Sequence, residues 1–272
     1  MAYSEALAHS TVAISVSDSP DLAPLGMNAL HLRDATAELA RHLLALGARI
    51  AYGGDLRQHG FTEILFELVS RHRRDADEGD ERTGVLSYLA WPVHISRPFQ
   101  DLQLYRDELA GLASLLLLDE DGAPLSDRVR RDLPEHQPPE GEWSIGLTSM
   151  PRTMSAQATP RVVTGGAVAG YKGIMPGIAE EALFALELRK PLYILGGFGG
   201  CAADIAATMG LFEARGIPQR TWPGRERFVG RPIEQLNNGL EPEEIRTLAR
   251  TPHIDEAITL VLRGLNRLSR AR

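Results

Sequence analysis

The sequence predicts an α/β protein with a doubly wound, mostly parallel sheet, helices on both faces and a C-terminal helical appendage. Short apolar runs recur at residues 11–16, 49–52, 85–91, 161–164 and 191–195, and three of them end directly in paired glycines. Apolar residues at helical spacing lie between most of these runs. Alternation of strand, turn and helix is typical of right-handed crossover units, which build the Rossmann-like class of parallel sheets.

The first predicted strand, residues 11–16, breaks at a turn rich in serine and aspartate. Its end places Ser15 and Ser17 at the carboxyl edge of the sheet, where ligands of open parallel sheets bind. The two hydroxyls suit a phosphate or a ribose, and an ordinary Asp/Ser turn is the alternative. An amphipathic helix is predicted to follow over residues 30–46.

The second predicted strand ends in Gly53 and Gly54, which are followed by Asp55. At the same edge of the sheet these glycines allow close approach of a ligand, and Asp55 is a candidate acceptor for ribose hydroxyls. A cap on the next turn is the alternative role for Asp55. Residues 61–69 predict a helix and residues 85–91 a further buried strand.

The middle of the chain gives the weakest pattern. Residues 102–118 show helical spacing and then four leucines, which form either a buried strand or a helix end. Residues 119–142 are acidic and contain prolines, so we predict an exposed loop with one short helix near residues 126–133. The sequence leaves three roles open for this loop, namely a lid, a partner contact or a plain insertion.

A helix over residues 145–158 carries Arg152, directly before the central strand. A buried arginine needs an anion, so a ligand phosphate or Glu181 is its predicted partner, and an exposed position is the alternative. Arg161, at the start of the central strand, is interpreted as structural because it stands at the far end of the strand from the site.

A glycine-rich loop connects the central strand to a helix predicted over residues 175–188. Its glycines allow positive φ and close approach of backbone N–H groups, and a loop ahead of a helix N-terminus suits a phosphate. Lys172 adds a mobile cation, and turns without a ligand are the alternative reading of the glycines. The predicted ligand-binding residues here are Gly165, Gly166, Gly170, Lys172, Gly173, Met175, Gly177 and Glu180.

The strand at residues 191–195 ends in a second glycine loop. We assign its residues Gly196, Gly197, Phe198, Gly199 and Gly200 to ligand binding. Phe198 either stacks on a base or fills the core, and the core is favoured since most aromatic residues serve packing. Neither glycine loop fits the dinucleotide fingerprint or the P-loop, which disfavours an ordinary NAD dehydrogenase or P-loop NTPase.

Composition excludes several function classes. The net charge of -7 gives no general attraction to nucleic acid. Cys201, the only cysteine, excludes an intrachain disulfide, and its position at a helix start would lower its pKa, although we interpret it as a packed residue. The eight histidines show no paired metal spacing, so no metal or cofactor is predicted. No signal peptide or membrane span is recognised, and a cytoplasmic location is expected.

Two parts of the chain are predicted: a ligand-binding domain at residues 1–215 and a helical extension at residues 216–272. The extension contains helices over residues 242–249 and 252–268. The second has an apolar stripe that suits docking on the main domain or on another subunit.

The run Met150-Pro151-Arg152-Thr153-Met154, a strand, glycines and then Gly177-Ile178-Ala179-Glu180-Glu181 resembles the Lonely Guy (LOG) phosphoribohydrolases. These carry a helix with an arginine and a methionine, then P-G-G-x-G-T-x-x-E. More broadly, residues 11–210 resemble the SLOG superfamily, which includes ligand-binding regions of melastatin channels and sensor domains of bacterial NAD-linked immune systems. The resemblance implies a Rossmann-like fold, a nucleotide-type ligand, a homodimer, and Arg152 and Glu181 as catalytic residues.

Two departures from the LOG pattern weaken its implication of catalysis. Ten residues separate Gly166 from Gly177, and Ile178 stands where the hydrolases carry threonine. We therefore favour a sensor that binds an ADP-ribose-like or NAD-derived ligand and reports through a homo-oligomer or a separate effector protein. The alternative is an N-glycosidic hydrolase of nucleoside monophosphates, in which Arg152 holds ligand charge and Glu181 stabilises the oxocarbenium ion.

Overall fold

The computed structural model describes residues 5–54, 61–75, 83–158, 160–213, 218 and 220–271. The strands are β1 (Thr11–Ser17), β2 (Arg49–Gly53), β3 (Val85–Leu89), β4 (Ala113–Leu117), β5 (Arg161–Gly165) and β6 (Leu192–Leu195). The helices are α1 (Ala29–Ala45), α2 (Phe61–Asp75), α3 (Trp91–Ile95), α4 (Phe99–Glu108), α5 (Asp127–Asp132), α6 (Glu140–Gln157), α7 (Gly177–Glu187), α8 (Gly200–Thr208), α9 (Pro242–Arg250) and α10 (Ile254–Arg270).

The strands form one parallel sheet in the order β4-β3-β2-β1-β5-β6. The chain moves outward from β1 to β4 and then returns to the other side of β1 to form β5. The topological switch point therefore lies between β1 and β5, where Ser17 pairs with Gly165 at the carboxyl ends of the strands.

Helices cover both faces of this sheet, as the sequence predicts. On β1, Val12 and Ile14 belong to the hydrophobic cluster that α1, α2 and α10 complete. Ala13, between them, belongs to the cluster of α3, α4 and α6. Because alternate residues of a strand point to opposite faces, the two clusters are the two faces of a doubly wound fold.

Several predicted element boundaries are wrong. Strand β3 ends at Leu89, and Trp91, predicted to lie in it, begins the short helix α3. Helix α6 begins at Glu140 rather than at residue 145, directly after Pro139. The four leucines near residue 115 mostly form strand β4, which the sequence left open between a strand and a helix end.

The C-terminal helices pack onto the sheet core. Apolar residues of α10, including Ile258 and Val261, share one hydrophobic cluster with β1 and α1. Ile245 and Ala249 of α9 pack with β6, α7 and α8. The predicted domain boundary at residues 215/216 falls outside the described residues. None of the described helices is long and apolar enough to cross a membrane.

A buried polar cluster fixes helix α3. Arg130 is fully buried and donates to the carbonyl oxygens of His94, at 2.9 Å, and Arg97, at 2.7 Å. Its Nε also donates to His94 Nδ1, at 3.2 Å, so the His94 proton sits on Nε2, which lies 2.8 Å from the Leu118 carbonyl oxygen. Burial lowers the pKa of His94 to about 4.

This shift predicts acid sensitivity. The folded-state pKa of His94 lies below its ordinary value. Between about pH 6.5 and pH 4, His94 is therefore protonated in the unfolded chain but still neutral in the folded chain. His94 should therefore remove about 3 kcal/mol of stability across that interval, where the unfolding free energy falls as pH falls. Urea unfolding at pH 7 and pH 4 should show a smaller loss for His94→Gln than for the wild type. An equal loss in the two proteins contradicts the prediction, and exposed His9→Gln is the control.

Candidate functional site

A cavity of about 500 Å³ opens at the carboxyl edge of the sheet, between α6, the start of α7 and the first glycine loop. Ten predicted site residues line it: Ser17, Gly53, Gly54, Gly170, Lys172, Gly173, Met175, Gly177, Glu180 and Glu181. Seven further residues complete the lining: Ala90, Val93, Trp143, Leu147, Met150, Pro151 and Tyr171. The walls are thus mostly apolar, with two carboxylates and one lysine.

Glu181 is held in place by two buried groups. Arg161, only 2% exposed, pairs with its carboxylate, and the Ser15 hydroxyl donates to the same oxygen. Arg161 also donates to the Ser15 Oγ at 2.5 Å and to the Ser155 Oγ at 3.0 Å. Burial lowers the pKa of Arg161, and the facing Glu181 carboxylate opposes this effect. Glu181 therefore presents a fixed carboxylate to the cavity.

The interpretation of Arg161 as remote from the site is wrong. Arg161 pairs with Ala13 in the sheet register, two positions before the pair of Ser15 and Val163. The long side chain spans that offset and brings its guanidinium to Ser15 and Glu181. Arg161 is thus the described cation that neutralises the candidate catalytic glutamate.

Glu180 differs from its neighbour Glu181. It is 3% exposed, and burial raises its pKa to about 7, with a further contribution from the charge of Glu181. The Glu181 carboxylate is instead paired with Arg161. The two adjacent carboxyl groups thus stand in unlike environments, one buried away from water and the other beside a buried cation.

Lys172 and Trp143 meet at the cavity wall. The Lys172 Nζ lies 3.5 Å from the centroid of the Trp143 ring, which is a close cation–π contact. Trp143 belongs to the first turns of α6, between the loop predicted over residues 119–142 and the helix predicted from residue 145. The spacing of Trp143, Leu147 and Met150, which fits one helix face, is the sequence signal that would have found this wall.

Gly177, the first residue of α7, faces the cavity without a packing reason for being glycine. No described atom lies within 4 Å of the place its Cβ would take, and its φ lies outside the left-handed region. Gly170 differs, because a φ of 68° accounts for it. Neither packing nor backbone conformation therefore requires glycine at this position, and the start of α7 is open on the side of the cavity.

A family model described as SLOG cluster2 matches residues 6–228. The chain belongs to the SLOG cluster2 family. No curated protein matches it significantly. The matched range contains all the strands of the sheet and every described residue that lines the cavity, and it ends before α9 and α10. The SLOG resemblance predicted from the sequence is therefore confirmed.

In this SLOG cluster2 chain, one of the two residues carried over from the LOG hydrolases lines the cavity. Glu181 lines the cavity, whereas Arg152 is exposed on α6 and is not among the described lining residues. Its neighbours Met150 and Pro151 do line the cavity. Asp55, the candidate ribose acceptor, lies outside the described residues.

Packing accounts for the glycines at the end of β5. A Cβ on Gly165 would lie 2.6 Å from the Ser17 carbonyl oxygen, and one on Gly166 would lie 2.7 Å from Ile178. Both glycines also have positive φ, at 62° and 104°. Neither is among the described residues that line the cavity.

The second glycine loop of the SLOG cluster2 chain already holds an internal anion. The Gly200 N–H, at the start of α8, donates to Asp21 Oδ2 at 2.6 Å. Asp21 in turn accepts two hydrogen bonds from Arg220, at 2.7 and 2.8 Å, and Arg220 also pairs with Asp204 at 3.0 Å. The carboxylate of Asp21 thus occupies the position at which an anionic ligand would meet this helix.

Other residues of this loop are packed. A Cβ on Gly196 would lie 2.4 Å from the Ala249 carbonyl oxygen, one on Gly197 2.0 Å from that of Thr251, and one on Gly199 2.5 Å from Asp21 Cβ. Phe198 is buried in the core.

Cys201, the next residue, is also buried, and burial raises its pKa, which corrects the expected lowering at a helix start. Within the described ranges, no group of three or more histidine, cysteine or acidic side chains is placed to hold a metal ion.

Proposed function

We propose that this chain is a sensor that binds a nucleotide-derived ligand of the ADP-ribose or NAD-derived type in the cavity beside the switch point. The observation that carries the proposal is the combination at one cavity of apolar walls, a fixed carboxylate and an open helix N-terminus. Pockets for nucleotides need these three environments for the base, the ribose and the phosphate.

Different residues of the cavity suit the base, the ribose and the phosphate of such a ligand. Trp143, Met150 and Met175 offer an apolar and aromatic surface to a base. The Glu181 carboxylate, oriented by Arg161, accepts hydrogen bonds from ribose hydroxyls. The N-terminus of α7 at Gly177 takes a phosphate, and Lys172 supplies its countercharge.

Two observations favour binding over turnover. Arg152, the arginine that the LOG pattern requires for catalysis, is exposed outside the cavity lining. Glu181 is neutralised by a buried arginine, which weakens it as a stabiliser of positive charge. A sensor in this sense reports through a homodimer or higher homo-oligomer, or through an effector protein, and acts in the cytoplasm.

One observation favours the second candidate, an N-glycosidic hydrolase of nucleoside monophosphates. Glu180 carries a pKa of about 7 beside the paired Glu181 carboxylate. A protonated Glu180 is suited to protonate a departing base while Glu181 faces the sugar.

A ligand screen with product analysis separates these functions. AMP, ADP-ribose, NAD and cyclic ADP-ribose are tested by thermal shift, and each mixture is then analysed by chromatography. A ligand at a hundred times its dissociation constant adds about 2.7 kcal/mol of stability. Stabilisation without product supports the sensor, and free base that disappears with Glu181→Gln supports the hydrolase. Absence of both stabilisation and product contradicts the proposal.

Replacing Gly177 by alanine should weaken binding without weakening the fold. The added methyl group meets no described atom, and alanine favours a helix over glycine by up to about 1 kcal/mol, so thermal stability should hold or rise. Ligand affinity should fall about tenfold or more, because the methyl group stands where a phosphate approaches.

The matched control is Gly141→Ala in the first turn of α6, which also meets open space and lies outside the cavity lining. Calorimetric titration of both variants with the tightest ligand checks the prediction. Equal affinity for the two variants contradicts a phosphate position at α7.

A further inference from the structure

The contact between Lys172 and Trp143 suggests how the cavity chooses its ligand. The ammonium group lies 3.5 Å from the ring centroid and so covers one face of the indole. Trp143 is half-buried and lines the cavity, whereas Lys172 is exposed and also lines it. The aromatic surface best suited to a planar base is thus already occupied by a side chain of the protein.

Lys172 can leave the ring by rotation of its flexible side chain, because it is exposed and lies in an irregular loop between β5 and α7. Among the described residues that line the cavity, Lys172 is also the one that carries a positive charge. A phosphate in the cavity therefore has one nearby side-chain cation to attract.

A base and an ammonium group cannot occupy the same face of one ring. An ammonium group at an exposed site gains less from an aromatic face than from a charge-assisted hydrogen bond to a phosphate. A phosphate thus draws the lysine from the ring, whereas an uncharged nucleoside must displace it without compensation.

We propose that Trp143 is the base-stacking surface of the cavity and that Lys172 competes for it, so that the site selects ligands in which a planar base is joined to a phosphate. This inference rests on the proposed function and specifies its ligand class. Lys172 therefore weakens the binding of nucleosides, whose base must displace it from the ring. It strengthens the binding of nucleotides, because it pairs with their phosphate.

Calorimetric titrations of adenosine and AMP test this selection. Lys172→Gln should bind adenosine about threefold more tightly than the wild type, since the competitor for the ring is gone. The same variant should bind AMP about tenfold more weakly, since the phosphate has lost its cation. Lys190→Gln, which changes the chain's other lysine, should leave both affinities unchanged.

Intrinsic fluorescence tests the stacking surface. Trp91 and Trp222 are 7% and 6% exposed, so Trp143 is the tryptophan that a ligand in the cavity reaches. AMP should quench the emission of the wild type, and Trp143→Phe should lose this signal while retaining a ring and a folded structure. Trp143→Ala should weaken both adenosine and AMP.

The outcomes separate this inference from the proposed function. If the wild type binds AMP but Lys172→Gln weakens adenosine and AMP alike, or leaves adenosine unchanged, competition by Lys172 is overturned and the binding function stands. If AMP binds without quenching Trp143, the stacking surface is overturned. If no nucleotide of the screen binds the wild type, the proposed function itself fails.

Discussion

Replacing Arg161 by leucine should lower the free energy of unfolding by about 3–5 kcal/mol, the usual cost of removing one partner from a buried ion pair. Arg161 is 2% exposed and joins Glu181, Ser15 and Ser155 across three elements of the fold. Its removal leaves the Glu181 side chain, which is only 13% exposed, at the cavity wall without its cation. Urea unfolding at pH 7 measures the loss.

Two further variants serve as comparisons for Arg161→Leu. The double variant Arg161→Leu/Glu181→Leu should recover much of the loss, because no unpaired charge is left buried. Arg246→Leu, which removes an exposed pair with Glu243, should cost less than about 1 kcal/mol. If Arg161→Leu costs no more than Arg246→Leu, the pairing of Arg161 with Glu181 does not stabilise the fold.

Replacing Glu180 by glutamine should stabilise the protein at pH 8 by about 3 kcal/mol and leave it nearly unchanged at pH 4.5. Burial raises the folded-state pKa of Glu180 to about 7, above its ordinary value of 4.5. The stability linked to the bound proton is therefore complete below pH 4.5 and is lost as pH rises through 7. Glutamine does not titrate, so the stability of the variant does not fall in this way as the pH rises.

Thermal unfolding at both pH values measures the effect of Glu180. The control is Glu187→Gln on the same helix, where an exposed pair with Arg227 is worth less than about 1 kcal/mol. A stability gain for Glu180→Gln that is equal at pH 4.5 and pH 8 would show that Glu180 titrates as an ordinary carboxyl group.

The fold could be predicted because its signals are local. Each buried parallel strand is a short apolar run, and its turn into a helix needs glycine or a small polar residue, as at Ser17 and Gly53. The strand order could not be predicted, because it depends on packing between elements distant in sequence. The start of α6 was missed because Glu140 and its neighbours are polar and follow Pro139, which is typical of a loop as well as of a first helical turn.

The sequence predicts those site residues whose place depends on the position of the backbone. It does not predict those that reach the site through a long side chain. Gly53 and Gly177 follow from their places at the sheet edge and the helix start, and Glu181 follows from the resemblance to the LOG hydrolases. Arg161 reaches Glu181 only through its long side chain, which the sequence pattern does not orient. Trp143 enters the cavity through the unpredicted first turns of α6.

The second glycine loop shows why glycines alone do not locate a ligand. Its glycines predict close approach of a ligand, as do those of the first loop. Asp21, far away in sequence, fills that site in the folded chain and is itself paired with Arg220. The anion requirement of the α8 N-terminus is thus met inside the protein.

A crystal structure of the protein with the tightest-binding nucleotide of the screen tests the central claim most directly. The account predicts a base against Trp143, ribose hydroxyls donating to Glu181 and a phosphate at the N-terminus of α7, with Lys172 moved from the ring. A nucleotide bound elsewhere, such as the groove lined by Gly196, Gly197 and Arg250, with the cavity beside Glu181 left empty, would contradict it.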